Sequence, residues 1–171
     1  MKSQLDPNDV SSLKAKLFDQ VIHELTREQE TLLRAAQDAY EGATHAEVKQ
    51  ENKYDTRGLE SSYLAFGQSK RALEIGTSIE KLRMMIRLEV AASTSIRLGD
   101  LLQLEKEDES LHWYFLLPGI GGFTILMDKE KVQVISGSSP MGAELLGKEV
   151  GDEAIMTISG QKKSLSIIRK I

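Results

Sequence analysis

Ser139-Pro140-Met141-Gly142-Ala143-Glu144-Leu145-Leu146-Gly147-Lys148-Glu149-Val150-Gly151-Asp152-Glu153 is the stretch on which the fold turns. Proline is tolerated in the first turn of a helix, where its missing N–H has no partner to lose, so Pro140 predicts a helix start and the helix itself runs over Met141 to Leu146. Outward from it lie short β-like runs: Ile96 to Leu104, Trp113 to Leu117, Phe123 to Met127, Val132 to Ile135, Ala154 to Ile158 and Leu165 to Ile171. Turns rich in glycine or acidic residues separate them. Several antiparallel strands around one short helix make an α+β domain. Trp113, Tyr114 and Phe115 feed its core and rim. Pro118-Gly119-Ile120-Gly121-Gly122 lacks the Gly-Lys-Ser/Thr ending of a phosphate loop and opens no helix, so it reads as a hairpin loop.

The first half of the chain has a different character. The three prolines are Pro7, Pro118 and Pro140, and nine of the thirteen glycines lie after residue 92, so residues 8–117 can carry long helices. From Asp9 the apolar residues Val10, Leu13, Leu17, Val21, Leu25, Leu32, Ala36 and Ala39 recur at mostly three- or four-residue steps. A second series runs Leu59, Tyr63, Phe66, Leu73, Ile79, Leu82, Ile86 and Val90. Helices over about 9–41 and 56–91 with a tip near 42–55 predict an antiparallel coiled-coil hairpin. Asp9, Ser11 and Ser12 are its N-cap candidates, and Gly42 is the C′ candidate. Thr44-x-x-Glu47 offers an alternative start for the second helix as a capping box. Gly58, Gly67 and Gly76 predict close packing against the first helix. Two domains follow: 1–92, the hairpin, and 93–171, the β domain, with Ser93-Thr94-Ser95 as the joint.

Composition bounds the partners. The net charge is −4, with 13 basic against 15 acidic residues up to residue 92 and 9 against 11 after it. Neither half has the concentrated basic surface that holds phosphates, so direct DNA binding should be weak or absent. No cysteine is present, which removes disulfides and thiolate chemistry together. No stretch approaches the ~20 apolar residues of a membrane span. A cytoplasmic monomer is the expectation. The three histidines are scattered, and His45 reads as an exposed turn residue, so no zinc site is expected.

The stretch from Ser139 to Glu153 resembles the C-terminal domain of the bacterial transcript-cleavage factors GreA and GreB, where a Ser-Pro-hydrophobic turn leads into a short helix ending Leu-Leu-Gly-Lys and then Val-Gly-Asp-Glu. That resemblance implies an FKBP-like β domain behind a coiled-coil hairpin. It implies RNA polymerase as partner, with Ser139, Pro140 and Met141 at the docking surface. The hairpin would enter the secondary channel of the polymerase, acting on backtracked RNA only indirectly.

At the tip, Gre factors carry Asp-Leu-Lys-Glu-Asn-x-Glu-Tyr, and this chain reads Glu47-Val48-Lys49-Gln50-Glu51-Asn52-Lys53-Tyr54. Aligned without a gap, the first acid becomes Glu47 and the second falls on Gln50. Aligned on Glu-Asn, the second acid becomes Glu51. Glu47, Glu51 and Asp55 are spaced by four, as are Lys49, Lys53 and Arg57, which is also the pattern of a solvated helical face. The resemblance implies that the tip acids assist the polymerase active site. Glu47 and Glu51 would hold a Mg²⁺ shared with the polymerase, and no cofactor would be bound by the chain alone. Hard divalent cations take oxygen ligands, and two-metal phosphodiester chemistry needs the second ion close to the first. A neutral Gln50 is a weaker ligand, so occupying the channel without cleavage is the rival within this class. An FKBP-like prolyl isomerase and a self-associating coiled-coil adaptor are the rivals from other classes.

Overall fold

The computed structural model describes residues 7–48, 57–87, 93–158 and 161–171, with side chains over 11–44, 58–87, 93–156 and 162–171. Helix α1 runs Pro7–Val48 and helix α2 Arg57–Arg87. Strands β1 (Leu101–Lys106), β2 (Leu111–Leu117), β3 (Phe123–Met127) and β4 (Glu130–Ser136) follow, then helix α3 (Pro140–Leu145) and strands β5 (Glu153–Ile158) and β6 (Gln161–Lys170). This is the expected α+β chain, a helical hairpin followed by a sheet with one short helix. It divides into two compact units, Val21–Arg83 and the residues up to Gln20 together with those from Met84 on. The expected boundary at residue 92 falls among residues 88–92, outside the described ones.

In the first unit the two helices run antiparallel, since Gln29 meets Ala72 and Gly42 faces Ser61. α1 does not stop at Gly42 but continues to Val48, because Ala43 and the residues after it propagate the helix. Thr44 turns its hydroxyl back onto the Tyr40 carbonyl at 2.8 Å, so it caps nothing ahead of it. Asp9, Ser11 and Ser12 lie inside the helix, which opens at Pro7, a residue suited to a first turn.

The buried stripe of α2 differs from the expected one. Ala65, Ala72, Ile75, Ile79 and Leu82 are buried, with Gly58, Ser61 and Gln68 half-buried, at steps of three and four throughout. Leu59, Tyr63, Phe66 and Leu73 stay 56, 68, 71 and 72% exposed, and Ile86 is exposed as well. Both series satisfy a helical period, and the smaller residues win the seam. With Ala36 and Ala43 on α1, they let the helix backbones come close, while Val21, Leu25, Ile75, Ile79 and Leu82 fill the opposite end. Gln29 Nε2 reaches across to the Ala72 carbonyl at 2.9 Å, and a Cβ on Gly76 would stand 2.7 Å from that nitrogen. Gly76 is therefore the expected close approach. Gly67 has nothing within 4 Å.

The second unit is built on a six-stranded sheet of order β3-β4-β2-β1-β6-β5. All neighbours are antiparallel except β2 and β4, which pair in parallel with Phe115 opposite Val134. β2 and β3 are therefore separated by β4, and Pro118–Gly122 is a crossover rather than a hairpin loop. The loop must pass over the end of β4, and a Cβ on Gly121 would lie 2.6 Å from the Ser136 nitrogen. Gly119 and Gly122 adopt φ of +67° and +93°, which side chains disfavour. That accounts for the glycine cluster without any ligand.

One face of the sheet carries Leu102, Leu104, Tyr114, Leu116, Ile135, Leu165 and Ile167, packed with Ile96, Ala154 and Leu145 of α3. The other face presents Leu101, Phe115 and Val134 in register, and Phe18 of α1 meets Phe115 edge-on with centroids 5.0 Å apart. Two further ties join the start of α1 to this unit. Gln20 Oε1 accepts from the Leu126 amide at 3.2 Å, and Lys14 Nζ lies 3.3 Å from Asp100 Oδ1.

Asp100 is the one buried charged residue among the described ones, at 6% exposure. Its other oxygen receives the Arg97 amide at 2.8 Å and faces Lys170 Nζ at 3.2 Å. Lys170 also donates to the carbonyls of Ser93 and Ser95, each at 2.6 Å. The Asp100–Arg97 turn, with Gly99 at φ +92°, is why β1 begins at Leu101 instead of Ile96. Removing one member of a buried pair strands its partner, so Asp100→Ala should cost about 3–5 kcal/mol. Lys14→Ala, at the solvent-facing side, should cost about 1 kcal/mol or less. Urea unfolding of the two variants checks both values.

Candidate functional site

Ser139, Pro140 and Met141 form the entry to α3. Ser139 is the N-cap, with its Oγ accepting from the Gly142 amide at 3.0 Å and donating to the Ser136 carbonyl at 2.6 Å. Its own amide donates to the same carbonyl at 3.0 Å. Gly142 packs directly on the Ser136 carbonyl and the Gly137 backbone, leaving no room for a Cβ. The turn is thus braced from both sides. Pro140 stands exposed at its apex while Met141 is half-buried against the core. Gly137 in turn lies against Leu98 and Leu146, which are 38 and 37% exposed. Two apolar side chains therefore flank the turn; Leu146 belongs to the motif itself, whereas nothing local to the motif marks Leu98.

The rest of the motif holds backbone in place. Gly147 donates to the Ile96 carbonyl at 2.9 Å, and Ile96 donates to the Lys148 carbonyl at 2.7 Å, so the Leu-Leu-Gly-Lys segment clamps the chain entering the sheet. Asp152 Oδ2 accepts from the Glu149 amide at 2.8 Å, and the Asp152 carbonyl accepts from Ile167 at 2.9 Å. Glu144 accepts from the Ile155 amide on edge strand β5 at 3.3 Å and lies 3.3 Å from Lys148 Nζ. These partners, the Ile155 amide first, hold its carboxyl below the ordinary 4.5.

Of the tip acids, the backbone of Glu47 lies in the last turn of α1, and its side chain lies outside the described ones. Glu51 and Asp55 lie outside the described residues, as do Gln50 and Tyr54. Whether the three carboxylates converge, and so whether they suit Mg²⁺, falls outside the described residues too. Among the described residues no group of three or more His, Asp or Glu could hold a metal ion. None of the described helices is long and apolar enough to cross a membrane.

Two other constellations can be weighed. Tyr114 and Phe115 are neighbours on β2 and point to opposite faces, so the aromatic run does not converge on one pocket. Burial pushes the Tyr114 hydroxyl above its ordinary 10.0. In the β1–β2 turn, Ser110 Oγ donates to Asp108 Oδ1 and lies 3.0 Å from His112 Nε2. In a nucleophilic triad the acid orients the histidine, whereas here acid and histidine both contact the serine. The arrangement closes a turn in which Glu109 takes φ 61°. Bonding from the Ser110 hydroxyl, then from its amide, keeps the Asp108 carboxyl below 3.8.

No family model matches the chain, and no curated protein matches it. Solved structures do. The chain is similar to the GreA factor homolog 1 (Gfh1) protein of Thermus thermophilus at 23% identity, over 90% of this chain and 94% of that one, with a TM-score of 0.36. It is similar to Thermus aquaticus Gfh1 at 23% identity, over 90 and 92% of the two chains, with a TM-score of 0.38. The prokaryotic transcription elongation factor GreA/GreB from Nitrosomonas europaea matches at 16% identity, over 75 and 91%, with a TM-score of 0.34.

Two outcomes test the braced turn. Ser139→Ala removes an N-cap and should lower stability by about 1 kcal/mol in chemical denaturation. The acid side of the stability curve should carry Glu144. Its native pKa is depressed, so its contribution is complete above pH 4.5 and is lost as pH falls through the lower native value. Glu144→Gln should lower the melting temperature slightly at neutral pH, change it little below the native pKa, and so flatten the profile in that window.

Proposed function

We propose that this protein is a Gre-like accessory factor of RNA polymerase. The turn at Ser139, Pro140 and Met141 docks on the polymerase, and the α1–α2 hairpin enters its secondary channel. The observation that carries this reading is the pairing, in one chain, of a braced turn that exposes Pro140 and sets its Gly137 against Leu98 and Leu146 with a hairpin whose seam is alanine over Ala36, Ala43, Ala65 and Ala72. An exposed apolar apex on a rigid base suits protein docking. A small-residue seam keeps a two-helix projection narrow. From Val21 to Val48 α1 alone spans roughly 40 Å at ~1.5 Å per residue.

On this reading the protein is not itself an enzyme. Glu47, Glu51 and Asp55 would reach the polymerase active site and, where they hold a shared Mg²⁺ there, help hydrolyse backtracked RNA. A shared second ion would supply the charge neutralisation that phosphodiester hydrolysis needs. Gln50, where the ungapped alignment places the second acid, favours the alternative, a factor that occupies the channel and regulates elongation without cleavage. Either way the protein would act in the cytoplasm, where polymerase works, and DNA contact would be indirect.

The test is transcript cleavage on a stalled elongation complex with core RNA polymerase. Glu47→Ala, Glu51→Ala and Asp55→Ala combined should abolish any stimulation of cleavage while polymerase binding persists. Unaltered cleavage by the triple variant would refute the metal-holding role, and absence of polymerase binding by the unaltered chain would refute the reading as a whole.

A further inference from the structure

α2 carries a second apolar stripe that its hairpin partner does not cover. Leu59, Tyr63, Phe66 and Leu73 are 56, 68, 71 and 72% exposed, and Lys70 and Thr77 continue the series at steps of three and four. At ~100° per residue this stripe lies roughly 150° around the helix from the seam of Ala65, Ala72, Ile75 and Ile79. Apolar residues repeating at that period are what one helix offers another. Gly67 lies on the flank of this stripe, roughly 80° from its middle, with nothing within 4 Å. An exposed helical glycine costs about 1 kcal/mol against alanine.

We propose that this face pairs with its counterpart on a second copy of the chain, as an antiparallel and reversible dimer. Lys70 sets the orientation. In a parallel pair two Lys70 ammonium groups would stack in the middle of the apolar stripe. In an antiparallel pair centred near Gly67–Ser69, Lys70 lies over Phe66 of the second copy, Tyr63 meets Leu73, and Leu59 meets Thr77. A cation over an aromatic face is favourable where the like-charge contact is not. Gly67 then lies at the edge of the contact near the two-fold axis. Glu74 enters this interface already paired with Arg71, 3.6 Å away.

The area sets the strength. At roughly 200 Å² per fully open large side chain, the four apolar residues offer on the order of 500 Å² per copy. That totals about 1,000 Å², the low end of specific interfaces, and the association is accordingly weak and concentration-dependent. Pairing withdraws α2 from any other partner, so the dimer is a state in which the hairpin is masked.

Sedimentation velocity of the full chain over a wide concentration range should show a rapid monomer–dimer equilibrium. Phe66→Asp should raise the dimer dissociation constant at least about tenfold with unchanged helical circular dichroism, since Phe66 touches solvent and not the seam. The chain has no cysteine, so Leu59→Cys and Thr77→Cys report orientation directly. Mixed oxidation should give the 59–77 heterodimer in preference to either homodimer. A chain that stays monomeric at every concentration overturns the proposal. So does a dimer indifferent to Phe66→Asp, or one that cross-links 59 to 59.

Discussion

Asp100 is the constraint on which the sheet-bearing unit depends. Its carboxylate collects the Lys14 ammonium from α1, the Lys170 ammonium from the last strand and the Arg97 amide from the entering chain. Lys170 in turn gathers the carbonyls of Ser93 and Ser95. Three segments far apart in sequence are tied at one buried point. Charges this buried are tolerated only when every member is paired, and the same condition makes the geometry unique. The Phe18–Phe115 contact and the Gln20–Leu126 bond extend the tie along the start of α1.

The motif and the Asp100 cluster share the joint between them. Ile96 is held by Gly147 and Lys148, Thr94 by Glu149 at 2.6 Å, and Ser93 and Ser95 by Lys170. The conspicuous run from Ser139 to Glu153 is therefore a set of backbone clamps, beside the docking role proposed for its first residues. Ser139 and Gly142 stiffen the turn from within, which leaves Pro140 free to face outward. A rigid apex loses little entropy on docking, and rigidity of this kind favours affinity.

The strands were legible because apolar runs of four to nine residues bounded by glycine or acidic turns are hard to read otherwise. All six appear, with ends shifted where a local device intervenes, as at Gly99 and Asp100. The crossover at Pro118–Gly122 was not legible, since strand order is a long-range property and the same five residues suit a hairpin loop. The seam of α2 was misread for a physical reason. Periodicity weighted by side-chain size selects Leu59, Tyr63, Phe66 and Leu73, whereas close helix packing selects the alanines on the other side. Large apolar residues keep a helical period whether or not the helix buries them, so sequence periodicity does not separate the two cases. At the candidate site, Ser139 to Met141 were marked by the motif, while Leu98 joins them only through Gly137.

The proposed role needs a braced turn and a narrow hairpin to act on one large partner. Site-specific photocrosslinking tests this most directly, with a photoreactive residue at Pro140 in one variant and at Val48, the last residue of α1, in another, each mixed with core RNA polymerase. The account predicts adducts on the polymerase from both positions, those from position 48 mapping beside its catalytic centre. Adducts from neither position, or only to a second copy of the chain, would contradict it.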